Sequence, residues 1–158
     1  MPTYDVPHDT RVIVRGAAQG FAQEISARRH RLSADEPIPN GGTDTGPTPY
    51  DLLLAALGSC ASMTVALYAR RKEWPLQEVT IRLQHSRIHA ADCAACETKA
   101  GRLDHIEWSL QLEGDLTAAQ RARLLEIAQM CPVHRTLQAQ VHIPAPELVE
   151  AGPTSGAG

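Results

Sequence analysis

The chain has 158 residues, which is the length of one domain and is enough to bury a hydrophobic core without disulfide support. Hydrophobic residues make up 43% of it and charged residues 21%, which is typical of a globular protein rather than a disordered one. The formal net charge of −3 and the few aromatic residues (one Phe, two Trp, three Tyr) argue against nucleic-acid binding, which uses clustered basic and aromatic side chains.

The ends of the chain differ in composition from its middle. The first ten residues, MPTYDVPHDT, have no apolar run behind a basic flank, so we expect no secretory signal. Four cysteines without an export signal are typical of a reducing compartment, and we therefore expect a cytoplasmic protein. We predict a flexible leader over residues 1–10, one domain over 11–150, and a flexible tail over 151–158.

The N-terminal part of the domain is predicted to form short strands and then a loop. Apolar and polar residues alternate around Val12 and Val14, and again around Ile25 beyond a turn at Gly20. The following IPNGGTDTGPTP contains three Gly and three Pro, which predicts a loop. Its glycines lack the spacing of a phosphate-binding motif.

A long helix is predicted to begin after Thr48, the N-cap. Pro49 suits the first helical position, and Asp51 completes a capping box. The eighteen residues from Leu52 to Ala69 carry no charge, which approaches the length of a membrane span. The small and polar residues among them favour a fully buried central helix, so we expect no membrane association.

The C-terminal half is predicted to contain two strands, a helix and a final strand. VTIRLQHSRIH and HIEWSLQLEG alternate as strands do, whereas DLTAAQRARLLEIAQM has helical period, with Leu124, Leu125 and Ile127 on one apolar face. CPVHRTL is predicted as a short turn and QAQVHIP as the last strand. This order predicts an α+β fold with antiparallel sheet.

Two cysteines lie on the predicted helices. Cys60 is on the apolar face of the uncharged helix, where most free cysteines are only small buried hydrophobes. Cys131 ends the second helix before Pro132, with the potential cations His134 and Arg135 one turn further on, and a nearby cation lowers the pKa of a thiol. The two thiols could meet in the core, but a disulfide requires Cα atoms within about 4.4–6.8 Å, which the sequence does not show.

The other two cysteines form the motif Cys93-Ala-Ala-Cys96, preceded by His85 and His89. These four side chains are a zinc donor set, but the strand pattern separates the two histidines by about 13 Å, too far for one ion. A redox dithiol is the second alternative, although no helix N-terminus follows to tune it. We favour an exposed hairpin.

The segments GGTDTGPTPYDLLLAALGSCASMTVALYARRKEWPL and IAQMCPVHRTL together resemble the OsmC/Ohr family of thiol-dependent hydroperoxide reductases, in particular its OsmC-like branch. The resemblance spans about residues 28–143. It includes the proline at the helix start, the small residues before Cys60 and the CPV at Cys131. It implies an OsmC-like fold, with antiparallel sheets wrapped around long central helices in an intertwined homodimer.

The resemblance also implies that Cys60 is the peroxidatic cysteine and Cys131 the resolving one. The Cys60 thiolate would attack the peroxide and become a sulfenic acid, which Cys131 would convert to a disulfide. An outside dithiol, in the family often a dihydrolipoyl group, would reduce that disulfide. An apolar surround would favour organic or lipid hydroperoxides over hydrogen peroxide, and no metal or organic cofactor is required.

The chain departs from the family pattern at two points. The family's reductases have a glutamate ten residues before the first cysteine, which orients an arginine that supports the thiolate. Here that position is Tyr50, and the nearest acid, Asp51, lies about 100° further around the helix. We predict Asp51 as its replacement. The sequence leaves five candidates for the arginine: Arg11, Arg15, Arg28, Arg29 and Arg31.

The functional hypothesis is therefore an organic hydroperoxide reductase that uses Cys60, Cys131 and Asp51. One alternative is an OsmC-like binding or redox-sensing protein with weak peroxidase activity. The other is a zinc-stabilised module built on Cys93 and Cys96.

Overall fold

The computed structural model of the protein describes residues 11–93 and 100–149. The predicted leader and tail lie outside the described residues. The strands are β1 (Val12–Gly16), β2 (Gln23–Ala27), β3 (His30–Ala34), β4 (Leu76–His89) and β5 (Arg102–Gly114). The helices are α1 (Pro49–Arg71), α2 (Ala118–Gln129) and α3 (Pro132–Gln138), with short 3-10 turns at Ile38–Asn40 and Ala90–Asp92. The predicted α+β class with antiparallel sheets is confirmed.

The three N-terminal strands form an antiparallel sheet in the order β1-β2-β3, in which Val14 pairs with Ile25 and Ile25 with Leu32. This sheet makes no substantial packing contact with any of the three helices. Several of its apolar side chains consequently remain uncovered: Val12 is 61% exposed, Val14 57% and Leu32 51%, whereas Ile25 on the central strand is buried. Such a surface is unfavourable in water unless something covers it.

The loop that joins β3 to α1 is organised around the buried carboxylate of Asp35. It accepts hydrogen bonds from the main-chain N–H groups of Glu36, Thr43 and Thr45 and from both threonine hydroxyls. The hydrogen bond from the Thr43 hydroxyl is the largest cause of a pKa well below the usual range for this carboxyl. The loop is therefore ordered, although it contains little regular structure.

Helix α1 starts as its sequence predicts. The Thr48 hydroxyl accepts from the Asp51 N–H, and the Asp51 carboxylate accepts in return from the Thr48 N–H and hydroxyl, which completes the capping box. Arg70 and Arg71 occupy the last turn, where positive charge is favourable. These determinants are local, which explains why the sequence was sufficient to find them.

The prediction that α1 is fully buried is wrong for the single chain. One face, with Leu57, Ala61 and Val65, packs in the core, while Met63 on the other face is 71% exposed. Its most apolar window has a mean hydropathy of 1.8 and is 22% buried, so by length and composition alone α1 could cross a membrane. A core helix of a soluble protein passes the same test. Its contacts with β4, α2 and α3 cover one side only.

Strands β4 and β5 form a long antiparallel hairpin in which Leu83 pairs with Trp108. The alternate apolar residues of both strands pack toward the core formed by α1 and α2: Val79, Ile81, Leu83, Ile106, Trp108, Leu110 and Leu112. The alternation predicted this arrangement. His85 and His89 lie on the single continuous strand β4, four residues apart, as the sequence indicates.

The C-terminal elements differ from prediction at three points. Leu125 is 46% exposed and does not belong to the buried face of α2. CPVHRTL is not a turn, because Pro132 begins the separate helix α3. The predicted strand QAQVHIP is absent from the described chain: Gln138 ends α3, and residues 139–149 have no regular structure. A strand requires a neighbouring strand for its ladder, and the single chain supplies none here.

A candidate dithiol site

Cys60 lies in the middle of α1 and is partly exposed. It packs against the buried core cluster of α1 and α2. Its carbonyl also accepts a hydrogen bond from the Thr64 hydroxyl one turn later, at 2.8 Å. The helix therefore holds Cys60 at the margin of the core.

Cys131 lies at the break between α2 and α3 and is fully buried. Its main-chain N–H continues the end of α2 by donating to the Ala128 carbonyl. Its side chain caps α3, because Sγ accepts a hydrogen bond from the His134 N–H at 3.3 Å. The break predicted from Pro132 thus fixes where this sulfur points.

The two thiols are neighbours in the fold, close enough for Cys60 to influence the ionisation of Cys131, and both are free. Burial raises the pKa of the Cys131 thiol above its usual value, and the neighbouring Cys60 thiol raises it further, against the opposing effect of the His134 N–H. Cys131 is therefore a neutral thiol at neutral pH. The fold brings a buried thiol and a more accessible thiol together from separate helices.

Aromatic side chains complete the surroundings of Cys131. The Trp108 ring of β5 stacks on the His134 ring, with 5.4 Å between centroids and 24° between planes. In the part of the chain that the structure describes, Nδ1 of His134 is buried and makes no hydrogen bond. The sequence indicated His134 only as a neighbouring cation. The sequence did not indicate Trp108 as a neighbour of this site. The strand pattern predicts that its side chain points inward, but not that the ring stacks on His134.

Asp51 is not beside Cys60 in the single chain. Its carboxylate belongs to the capping box, and the Thr48 hydroxyl is the main cause that lowers its pKa. Cys60 lies nine positions further along the helix, a rise of about 13.5 Å. A catalytic role for Asp51 stays a prediction.

Tyr50, at the position of the family glutamate, has another set of contacts. Its ring stacks on that of His85, with centroids 4.2 Å apart and planes 18° apart. The His85 Nε2 lies 2.9 Å from a carboxylate oxygen of Asp104. The Tyr50 ring therefore packs the first turn of α1 against β4.

The five candidate arginines all lie on the N-terminal sheet or beside it. Arg31 pairs with Glu24 and the Ser26 hydroxyl within that sheet. Because the sheet makes no substantial contact with α1 of its own chain, the single chain does not select an arginine for Cys60.

Cys93, the first cysteine of the CxxC motif, directly follows the 3-10 turn Ala90–Asp92 at the end of β4. Cys93 is disulfide-bonded, so it has no thiolate to offer a metal ion. Cys96 falls outside the described residues. Across 11–93 and 100–149, no group of three or more His, Cys, Asp or Glu side chains is arranged to hold a metal ion. The zinc alternative stays a hypothesis.

A family model described as OsmC-like protein matches residues 42–144, which include α1, both sheet strands of the hairpin and both helices that flank Cys131. The chain belongs to the OsmC-like family. The resemblance found in the sequence is confirmed. No curated protein sequence matches this OsmC-like protein.

Solved structures of the same family share the fold of this OsmC-like protein. An OsmC-like protein from Mycoplasma pneumoniae superposes with a TM-score of 0.65 at 16% identity, covering 84% of this chain and 89% of that one. An organic hydroperoxide resistance protein OsmC from Legionella pneumophila gives 0.61 at 17% identity, covering 84% and 91%. The organic hydroperoxide resistance protein OhrB of Bacillus subtilis gives 0.55 at 20% identity, covering 81% and 89%. At these identities the likeness establishes the fold alone.

Proposed function

We propose that this OsmC-like protein is a cytoplasmic, thiol-dependent reductase of organic hydroperoxides, with Cys60 as the peroxidatic and Cys131 as the resolving cysteine. The proximity of the two free thiols carries the proposal, because two neighbouring thiols can become a disulfide with little movement. Structural relatives that are organic hydroperoxide resistance proteins support the class of substrate.

The difference in burial supports different roles for the two cysteines. A peroxide must reach the attacking sulfur, and Cys60 is partly exposed whereas Cys131 is fully buried. The raised pKa of Cys131 also makes it the poorer nucleophile toward peroxide. Cys60 is therefore the thiol that meets the substrate, and Cys131 reacts afterwards with the oxidised Cys60.

The chemistry needs only these two sulfurs and an external reductant. The Cys60 thiolate attacks the terminal oxygen of ROOH, the O–O bond breaks, and the alcohol ROH leaves after taking a proton. The Cys131 thiol then attacks the sulfenic acid, the S–O bond breaks, and its proton leaves with hydroxide as water. An outside dithiol, such as a dihydrolipoyl group, reduces the Cys60–Cys131 disulfide and is itself oxidised.

The surroundings favour a substrate with a hydrocarbon part. The cluster that includes Cys131 is apolar, with Leu57, Ala61 and Leu124 buried in it. A hydrocarbon chain placed against such side chains leaves water, which is favourable, whereas hydrogen peroxide gains nothing there. We therefore expect organic or lipid hydroperoxides to react faster than hydrogen peroxide.

The same proposal includes a homodimer. The N-terminal sheet and the outer face of α1 are both apolar and uncovered in one chain, with Val14 57% and Met63 71% exposed. In a homodimer, the N-terminal sheet of one chain would cover the outer face of α1 of the other chain, so that both apolar surfaces leave water. A sheet that covers α1 of the other chain would also bring the candidate arginines toward Cys60, where a cation favours the thiolate.

Disulfide mapping after oxidation tests this function. The reduced protein is treated with one equivalent of cumene hydroperoxide or of hydrogen peroxide, and its intact mass and peptide map are followed over time. We expect a loss of two hydrogens located at Cys60–Cys131, formed faster with the organic peroxide. Reduced thiols at both positions after the organic peroxide has been applied would contradict the proposal.

One observation favours the alternative of a binding or redox-sensing protein. Tyr50 stands where the family's reductases have a glutamate, and its ring is engaged with His85 rather than with a charged group beside the thiol. Steady-state turnover with a dithiol reductant separates the two functions. A sensor forms the disulfide once but consumes peroxide slowly, whereas a reductase consumes many equivalents.

A further inference from the structure

We propose that the stack between Trp108 and His134 positions Cys131 and thereby controls how fast Cys131 forms a disulfide with oxidised Cys60. The inference rests on the proposed function. It concerns the second step of that reaction, in which a sulfenic acid either becomes a disulfide or is oxidised further by more peroxide.

His134 connects the resolving sulfur to the sheet. The His134 N–H donates to Cys131 Sγ at 3.3 Å, while the His134 ring stacks on Trp108. Trp108 lies within β5 and is paired with Leu83 of β4, so its main chain is held by the hairpin. The first turn of α3, which carries the sulfur, is thereby tied to β5.

Helix α3 needs tertiary contacts of this kind to be stable. Helix α3 has seven residues, and isolated helices of this length are unstable in water. None of its residues is buried, and it contacts the rest of the chain mainly through α1. Without the stack, the N-cap position of Cys131 depends on the contacts of α3 with α1 and on the packing of Val133 against the core.

The position of this sulfur matters for two reasons. A disulfide forms only within a narrow range of Cα separation, so a displaced Cys131 reacts more slowly with Cys60. The buried Cys131 is also a poor nucleophile, and the His134 N–H is the stronger of the two main-chain contacts, with the Val133 N–H, that favour its thiolate. Loosening the first turn of α3 weakens both effects, and Cys60 is then exposed for longer as a sulfenic acid.

The stack does not use the ring nitrogen of His134. Nδ1 is buried without a hydrogen bond in the described part of the chain, and such an unpaired polar atom is unfavourable. Phenylalanine at this position would keep a stacking ring and remove the unpaired atom. If the stack positions Cys131, His134→Phe should form the Cys60–Cys131 disulfide as fast as the natural protein, whereas His134→Ala should form it more slowly.

The experiment measures the two oxidation steps separately, by quenched-flow alkylation and mass spectrometry with increasing cumene hydroperoxide. In His134→Ala and Trp108→Leu we expect disulfide formation about tenfold slower, with more Cys60 recovered as sulfinic acid and with unchanged initial oxidation of Cys60. His134→Phe should stay within about twofold of the natural protein. His105→Ala, on the same strand as Trp108, is the matched control and should change neither step.

The possible failures are distinguishable. If the natural protein forms no Cys60–Cys131 disulfide, the proposed function itself is wrong. If it does, and His134→Ala resolves at the natural rate, only the positioning role is refuted. Equal losses in His134→Phe and His134→Ala would assign the effect to the ring nitrogen and also overturn the stack. Slowing of both steps together, with a lower Tm, would indicate a purely structural role.

Discussion

The Cys60 thiol on α1 lies near the Cys131 thiol at the N-cap of α3, although the complete β4–β5 hairpin and α2 lie between them in the chain. Two separate structural features place these thiols close together. Helix α1 places Cys60 at the edge of the core, and the break at Pro132 turns Cys131 toward it. The two sulfurs differ in burial, so an accessible thiol lies beside a buried one.

Replacing either cysteine should give a different product. Cys60→Ser should abolish peroxide consumption, because the accessible sulfur is lost. Cys131→Ser should leave the first oxidation intact and trap Cys60 as sulfenic acid or as its further oxidised forms. Dimedone labelling with intact-mass analysis reads both outcomes. Equal residual activity in the two variants would contradict the assignment of roles.

The two thiols should also differ in reactivity before any oxidation. At pH 8 in the native state, we expect iodoacetamide to label Cys60 at least about tenfold faster than Cys131. Cys131 is buried and its raised pKa keeps it protonated at this pH, so little thiolate is available. Peptide mapping at short times measures the ratio, and labelling in denaturant, where the two rates should converge, is the control.

Asp35 should stabilise the loop before α1. We expect Asp35→Asn to lower Tm by about 5 °C at pH 7, because an amide cannot accept all the hydrogen bonds that the carboxylate accepts. Asp44→Asn, an exposed carboxylate in the same loop, is the matched control and should change Tm by less than about 1 °C. An equal effect of both substitutions would show that Asp35 is not the organising residue.

The same carboxylate predicts a direction for acid stability. The pKa of Asp35 is depressed in the folded chain, so its contribution is fully present above about pH 4 and is lost as the pH falls toward the folded-state value. Between pH 6 and pH 3, Tm of the natural protein should therefore fall more than Tm of Asp35→Asn. Differential scanning calorimetry at both pH values measures this, and parallel decreases would refute it.

The outer face of α1 should be a subunit interface. Met63→Glu places a charge on a surface that we propose to be buried in the homodimer, and we expect it to produce monomers in analytical ultracentrifugation. Leu125→Glu changes an exposed apolar residue of α2 and should leave the dimer intact. A natural protein that sediments as a monomer at micromolar concentration would remove the dimer from the proposal.

The CxxC motif should be separate from the peroxide chemistry. Replacing Cys93 and Cys96 together by serine should leave turnover nearly unchanged, since the proposed reactive pair is Cys60 and Cys131. A tenfold loss would show that the motif takes part. Metal analysis of the purified protein tests the zinc alternative, for which one zinc per chain is the required result.

Local determinants were recognisable in the amino-acid sequence alone. The capping box of Thr48 and Asp51, the ends of α1 and the alternation in β4 and β5 each depend on residues close together in the chain. The motifs around Cys60 and Cys131 were sufficient for the family. Each of these features arises from short-range hydrogen bonding or from the direction of successive side chains.

Other features depended on packing between distant segments and only the tertiary structure decided them. The final strand was predicted from its alternation but does not form in the described chain, because a strand requires a partner that alternation does not supply. The stack of Trp108 on His134 and the proximity of Cys60 to Cys131 involve residues far apart in sequence. Their pairing is determined by how α1, β5 and α3 pack against one another, which no local pattern encodes.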